Sequence, residues 1–238
     1  FYKTWYRPDN AVLSITGDVD PEEALDIIYR FFSDIPPGDE RPALAIDEPP
    51  RMLPQRAQIS DPQARLPAVF VNHPAVPYGD PDFYVYEVLE TLLFRGASSR
   101  LRRQLVAERG SALSLKGGYE AHRGPSVFSL FAVLSEDGDT ARLVDEYAAV
   151  LAQLCAETVG ATELERVLNQ VQANRVFAQE DVVNRANTLA RSVLVHSDVR
   201  FEERYLDRIS RVTPGDIIRV ARRDFDPNAI VALEVSPG

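Results

Sequence analysis

Three histidines, His73, His122 and His196, are the side chains in this sequence best suited to hold a metal or to move a proton near neutral pH. Their spacing supports neither role. A zinc-activating helix needs two histidines four residues apart on one face, with a glutamate beside them to take a proton from bound water. No two histidines here are neighbours, none lies in an H-x-x-E-H string, and Cys155 is the single cysteine, so there is no C-x-x-C either. His73 precedes Pro74 in an expected loop, His122 falls in an expected hairpin turn, and His196 falls at an expected helix end. Solvated or dipole-stabilising roles suit all three, and no metal ligand is assigned. Ser98-Ser99 reads as a helix cap rather than a nucleophile, because no histidine is close in sequence. Gly96 and Gly117-Gly118 fit neither phosphate-binding glycine pattern. Arg100, Arg102 and Arg103 make a local positive patch, either a solvated helix face or a contact for a partner domain or peptide. Glu108 reads as a surface or ion-pairing residue, and Glu163, Glu165, Glu180 and Asp181 as caps and solvated faces.

The bulk composition narrows the classes further. A formal charge of −10 and a pI near 4.9 argue against nucleic acid and against anionic membrane surfaces. No apolar run approaches the length of a membrane span. One cysteine permits no intrachain disulfide and is compatible with any compartment. At 238 residues, 45% of them hydrophobic, the chain can bury one large core or two small ones. It begins at Phe1, without a methionine or a secretory signal, in what reads as mid-domain sequence. The expectation is a fragment of a longer protein, whose location stays open.

The stretch from Asp80 to Tyr119 organises the expected elements. Asp80 and Pro81 suit an N-cap and a first helical position. Val85, Val88, Leu89 and Leu92 then recur on one helical face. Gly96 suits the position after the helix, Ser98 or Ser99 can cap a second helix with Leu101 and Leu105 on one face, and Gly110 ends it. Leu113, Leu115, Gly117 and Tyr119 alternate as in a half-buried strand, and Ser126 to Leu134 is its expected hairpin partner. Before this stretch, Ala11 to Thr16 reads as a strand and Asp20-Pro21-Glu22-Glu23 opens a helix with Leu25, Ile28, Phe31 and Phe32 on its apolar face. Residues 57–73 read as a strand region centred on Leu66 to Val71. Between them, six prolines in 36–56 mark a linker or a long surface loop. Helices follow over about 139–157, from a Thr162/Glu165 capping box to about 179, over 182–195, over 201–209 and from Thr213-Pro214, before a last strand at 230–235.

Three segments carry a resemblance. The first is Pro81-Asp82, then an apolar helix, then Gly96-x-Ser98-Ser99-Arg100-Leu101 with Leu105, Glu108, Gly110, Ala112 and Ser114. The second is Tyr6-x-Pro8-x-Asn10-Ala11-Val12-Leu13-x-Ile15-x-Gly17-Asp18, and the third is Val212-Thr213-Pro214-x-Asp216 with Val220-Ala221. In this order they resemble the C-terminal half of the pitrilysin/insulinase family of zinc metallopeptidases, which includes the mitochondrial processing peptidases. The resemblance implies an α+β fold, an antiparallel sheet with helices packed on one face. It implies a strand–helix remnant of the preceding domain at 1–37, a linker at 38–56 and a non-catalytic domain at 57–238. In complete members an arginine and a tyrosine seven positions apart bind the substrate backbone. The aligned positions here are Val106 and Leu113, which cannot hydrogen-bond. No catalytic, substrate-binding or metal residue is therefore transferred. Zinc is expected in the full-length parent or its partner, not in this chain. The implied partners are an N-terminal peptidase domain of the same polypeptide, a paralogous subunit and a peptide substrate. A homodimer through an unpaired strand is a further possibility. The alternative is a structural or assembly homologue without peptidase activity.

Overall fold

The period-two stretches of the sequence meet in one sheet. A computed structural model describes residues 1–38, 55–227 and 230–238. Its strands are β1 (Gln55–Asp61), β2 (Ala68–Ala75), β3 (Ser114–Glu120), β4 (Ser126–Val133) and β5 (Val231–Pro237), in the spatial order β1-β5-β2-β4-β3. The helices are α1 (Tyr2–Trp5), α2 (Pro21–Phe32), α3 (Phe83–Phe94), α4 (Thr140–Ala156), α5 (Ala161–Ala178), α6 (Val182–His196), α7 (Phe201–Ser210) and α8 (Pro214–Asp224). A π-helical segment, Arg102–Glu108, follows α3; the Arg109 N–H closes it on the Gln104 carbonyl, five residues back.

The described residues of Phe1–Ile46 and Ala173–Leu206 form one compact unit, and those of Asp47–Gln172 and Asp207–Gly238 form a second. The sheet lies in the second unit. Strand alternation gives it one covered and one open face. Val69, Val71 and His73 on β2 stand in register with Ala132, Leu130 and Phe128 on β4, and all six are buried. Helices α3, α4 and α8 pack over this face. Leu89 and Leu93 from α3, Tyr147 and Leu151 from α4, and Val220 and Phe225 at the end of α8 are fully or nearly fully buried. Each of the leucine, valine and phenylalanine side chains contributes about 1.5–3 kcal/mol by leaving water.

A polar clamp joins α3 to α8. The Asp82 carboxylate accepts from Arg219 at 2.6 and 2.9 Å and from Arg223 at 2.7 Å. The Arg219 hydrogen bond, followed by that from Arg223, holds the Asp82 carboxyl below its ordinary range. One helical turn on, the Tyr86 hydroxyl donates to Asp224 at 2.6 Å, so the first turn of α3 is tied to the C-terminal half of α8 by directed bonds. Asp216 and Thr213 form a reciprocal capping box at the start of α8.

Several expectations change. The single strand region at 57–73 resolves into β1 and β2, separated by the turn that contains Pro62 and Pro67. Pro62 directly follows β1 and Pro67 directly precedes β2, and neither has an N–H to donate to a ladder. β1 pairs with β5 in parallel, so the sheet is mixed rather than wholly antiparallel. α3 begins at Phe83, with Asp82 at the cap position; Asp80 instead accepts from the Asp82 N–H in the preceding turn. Thr162 lies inside α5, so the expected capping box is not formed. His73 is not in a loop but in β2, 2% exposed. The expected linker at 38–56 falls largely outside the described residues.

In the first unit, Asp20 caps α2, its carboxylate accepting from the Glu22 and Glu23 N–H groups. Ala11–Thr16 does not join a ladder, although Ala11 has extended dihedrals; the Thr16 hydroxyl donates to the Val182 carbonyl at 2.7 Å. The apolar face of α2 is not buried: Leu25, Phe31 and Phe32 are all more than half exposed.

Candidate functional site

The open face of the sheet supplies the groups. Successive residues of a strand face opposite ways, so Phe70 between the buried Val69 and Val71 stands outward, 41% exposed. It pairs in register with Leu233 on β5 and Phe131 on β4, and Phe131 pairs with Lys116 on β3. The Phe70 and Phe131 rings lie 4.5 Å apart between centroids, and the Lys116 ammonium sits 5.1 Å over the Phe131 ring. Such a cation–ring contact stabilises by about 0.5–1 kcal/mol at an exposed site. The next row is Asn72, Ser129 and Gly118. Together these rows line a cleft of about 650 Å3.

Glu90, on α3, closes one end of the cleft. Its carboxylate accepts the Tyr119 N–H at 3.1 Å and pairs with Arg95. That N–H lies on the outer edge of β3, where no further strand is paired among the described residues. Glu90 thereby satisfies a backbone donor that an edge strand would otherwise present. Gly118 allows the approach, since a Cβ there would lie 2.7 Å from the Glu90 carboxyl carbon. Gly117 faces the other way, where a Cβ would meet the Ser129 carbonyl at 2.2 Å and the Phe94 ring at 2.6 Å. On the same strand, the Tyr119 hydroxyl donates to the Val76 carbonyl at 2.6 Å, and burial pushes its pKa up.

The cleft can hold an extended chain by apolar and polar contact. It has an aromatic floor, one ammonium, and hydroxyl and amide groups from Ser129 and Asn72. The Ser129 hydroxyl donates to the Glu120 carboxylate at 3.1 Å, and no histidine lines the cleft among the described residues.

Val106 sits half-buried in the π-helical segment, and Leu113, 57% exposed, precedes β3 with its N–H bonded to the Val133 carbonyl at 2.8 Å. Neither residue lines the open-face cleft.

The histidines do not fit a zinc site. His73 is enclosed against Tyr147 and Phe225, and burial pushes its pKa down to about 4. His122 is exposed in the β3–β4 turn. His196 closes α6, stacked on Phe201 at 3.5 Å between centroids, and burial lowers its pKa. No group of three or more histidine, cysteine or carboxylate side chains converges among the described residues.

The sequence reading missed Phe70, Phe131, Glu90 and the Asp82 clamp. The first was detectable, because an aromatic residue between Val69 and Val71 in a strand must face away from the core they fill; Phe131, between Leu130 and Ala132, follows from the same alternation. The pairing of Asp82 with arginines 137 and 141 residues away leaves no local signal.

Known proteins share this architecture. The sequence pattern described as "Peptidase M16 inactive domain" matches residues 1–171. The zinc protease PqqE of Helicobacter pylori is 22% identical over 100% of this chain and 54% of its own length. A probable mitochondrial-processing peptidase subunit beta of Schizosaccharomyces pombe is 22% identical over 98% of this chain and 54% of its own. A crystal structure of a protease from Helicobacter pylori superposes with a TM-score of 0.92 at 22% identity, covering 100% of this chain and 58% of that one. The chain thus spans about half the length of the curated relatives it matches.

Proposed function

The chain belongs to the M16 (pitrilysin) peptidase family as its inactive domain, and we propose that it forms the non-catalytic wall of a chamber in which a zinc metallopeptidase holds peptides. The wall is the open face of β5, β2, β4 and β3. The facing wall comes from a zinc-bearing N-terminal peptidase domain, on the same polypeptide or on a paralogous subunit. Residues 57–238 are the non-catalytic domain, 38–56 the linker and 1–37 a strand–helix remnant of the preceding domain. Zinc and the water it activates belong to the other half.

The observation that carries this reading is the Phe70–Phe131–Lys116 row above a cleft of about 650 Å3. An extended peptide presents side chains and backbone groups in alternation. An aromatic floor with flanking polar groups can grip such a chain without selecting one sequence.

The test uses the parent protein, alone and mixed with any paralogue that carries the arginine/tyrosine pair. Zinc content and peptide hydrolysis are measured, with Phe131→Asp as the perturbation. Stoichiometric zinc, hydrolysis in at least one condition and a raised KM in the variant are expected. Hydrolysis with an unchanged KM would remove the cleft from the proposal. The aliphatic residues at Val106 and Leu113 favour a second reading, a structural or assembly homologue. Absence of both zinc and hydrolysis in every condition would replace the first reading with that one.

A further inference from the structure

A second cleft, of about 500 Å3, lies outside the open sheet face, where the π-helical segment, the end of α4 and the start of α5 come together. Arg100, Arg103, Arg166 and Glu163 line it, with Thr162 and Gln153 beside them. Three guanidiniums therefore surround one carboxylate, in a chain whose formal charge is −10. Arg100 is committed: it donates to both Glu163 oxygens, at 3.0 and 2.7 Å, and its side chain is 11% exposed. That bond, and then the fields of Arg100, Arg166 and Arg103, hold the Glu163 carboxyl below its ordinary range.

The other two arginines are not committed in this way. Arg103 reaches Glu108 only at 3.5 Å, with both side chains more than half exposed, a geometry that adds little stability. Arg166 makes no ion pair among the described residues. The N-terminus of α5 adds to the same field. Gly160 precedes it and has no side chain to cap it, and the Leu164 N–H bonds back to the Gly160 carbonyl at 3.0 Å.

We propose that this cleft is an oxyanion site for a phosphate group, gripped by Arg103 and Arg166 and braced by the Arg100–Glu163 pair. The charge balance selects the ligand. Glu163 neutralises one guanidinium, Glu108 draws only weakly on Arg103 from outside the cleft, and Arg166 is left without an ion pair among the described residues. A phosphate near neutral pH carries between one and two negative charges and at least three acceptor oxygens, so it can satisfy both forks at once. A carboxylate would leave one guanidinium unmatched. The site does not depend on the peptide-chamber reading, since it shares no residue with the open-face cleft.

The ligand is either free phosphate or a phosphoryl group on an organic carrier, and two probes separate them. The 238-residue chain is titrated calorimetrically with inorganic phosphate and with adenosine monophosphate, at constant ionic strength set with chloride, with acetate as the monoanion control. Saturable binding of a phosphate probe, and none of acetate, is expected. Tighter binding of the nucleotide assigns the site to a carried phosphoryl group, and equal or weaker binding assigns it to free phosphate. Arg103→Gln and Arg166→Gln should each weaken binding about ten-fold or more, the loss expected for one charge-assisted contact. Both side chains lie outside the core, so unchanged ligand-free melting curves would show that the variants fold. Absence of saturable binding, or equal binding by the folded variants and the parent chain, would overturn the proposal.

Discussion

His73 should make the sheet domain acid-sensitive in a pH range where its carboxylates do not yet contribute. Its imidazole is 2% exposed, packed against Phe225 at 5.3 Å and Tyr147 at 5.7 Å between ring centroids. Neither its Nε2 nor the Tyr147 hydroxyl has a hydrogen-bond partner among the described residues. Protonation would place a cation among aromatic rings, and burial lowers the pKa from 6.5 to about 4, against a smaller opposing pull from Asp224. The native state therefore binds fewer protons than the unfolded state between these values, so stability rises with pH across that window. From pH 7 to pH 4.5 the loss should be about 2–3 kcal/mol, from about 1.4 kcal/mol per pKa unit and incomplete titration at that end. Asp82 and Asp216 behave the other way. Their folded pKa values are depressed, so their contribution is present above the ordinary aspartate range and is lost only as pH falls through it. Urea denaturation at pH 7, 6, 5 and 4.5 reads this slope; His196, whose pKa burial also lowers, adds to it, so His73→Phe is the experiment that isolates His73. The variant keeps a ring beside Phe225 and removes the titrating group. Its absolute stability can shift through the larger ring, but its pH slope should lose the histidine component. Equal slopes for the two proteins would refute the assignment.

Three other perturbations read different parts of the molecule. Asp82→Asn removes the carboxylate shared by Arg219 and Arg223. It should cost about 1–3 kcal/mol, read as a lower urea midpoint, with the estimate kept low because both arginines are half exposed. Gly117→Ala places a methyl group against the Ser129 carbonyl and the Phe94 ring. It should destabilise by about 1–3 kcal/mol in thermal or urea unfolding, since one of the two obstacles is backbone. Asp20→Ala removes the cap of α2. Hydrogen exchange should show faster opening of the first turn of α2, with a cost of about 0.5–2 kcal/mol, while the sheet amides keep their protection.

The legible parts of the fold are those in which the pattern and the contact are both local. Asp20 and Thr213 each sit directly before the helix they cap, and Gly96, at φ +80°, supplies a conformation few other residues adopt. The buried face of α4, with Leu143, Tyr147, Val150, Leu151 and Leu154, follows from helical spacing alone. What failed required a distant partner. β1 is exposed along most of its length and has no alternating pattern, so only its pairing with β5, about 176 residues away, makes it a strand. His73 looked solvated because Pro74 suggests a loop, yet β2 carries that proline with the histidine facing inward. At the candidate site the outward position of Phe70 between Val69 and Val71 is local, whereas the Phe70–Phe131 row appears only once β2 and β4 are in register.

Ala11–Thr16 shows the same dependence from the other side. Its sequence is that of a strand, and Leu13 and Ile15 are both exposed. A strand is held by ladder bonds to a neighbour, and among the described residues only the Thr16 hydroxyl reaches another segment, at Val182. On α2, Leu25, Tyr29, Phe31 and Phe32 are exposed as well. Among the described residues of that unit, Tyr205 is the only buried large apolar side chain, whereas the sheet unit buries dozens. Burial at about 25 cal/mol per Å2 is the main term that offsets chain entropy. A segment with strand sequence and an amphipathic helix, both uncovered, is under-stabilised by its own contacts. Its residues suit a sheet to which Ala11–Thr16 adds an edge and over which α2 lies. On the proposed reading, that sheet belongs to the zinc-bearing domain. Residues 1–37 then join the two halves through shared structure rather than as a passive tether, and separating the halves should expose Phe31 and Phe32 before it disturbs β2 or β4.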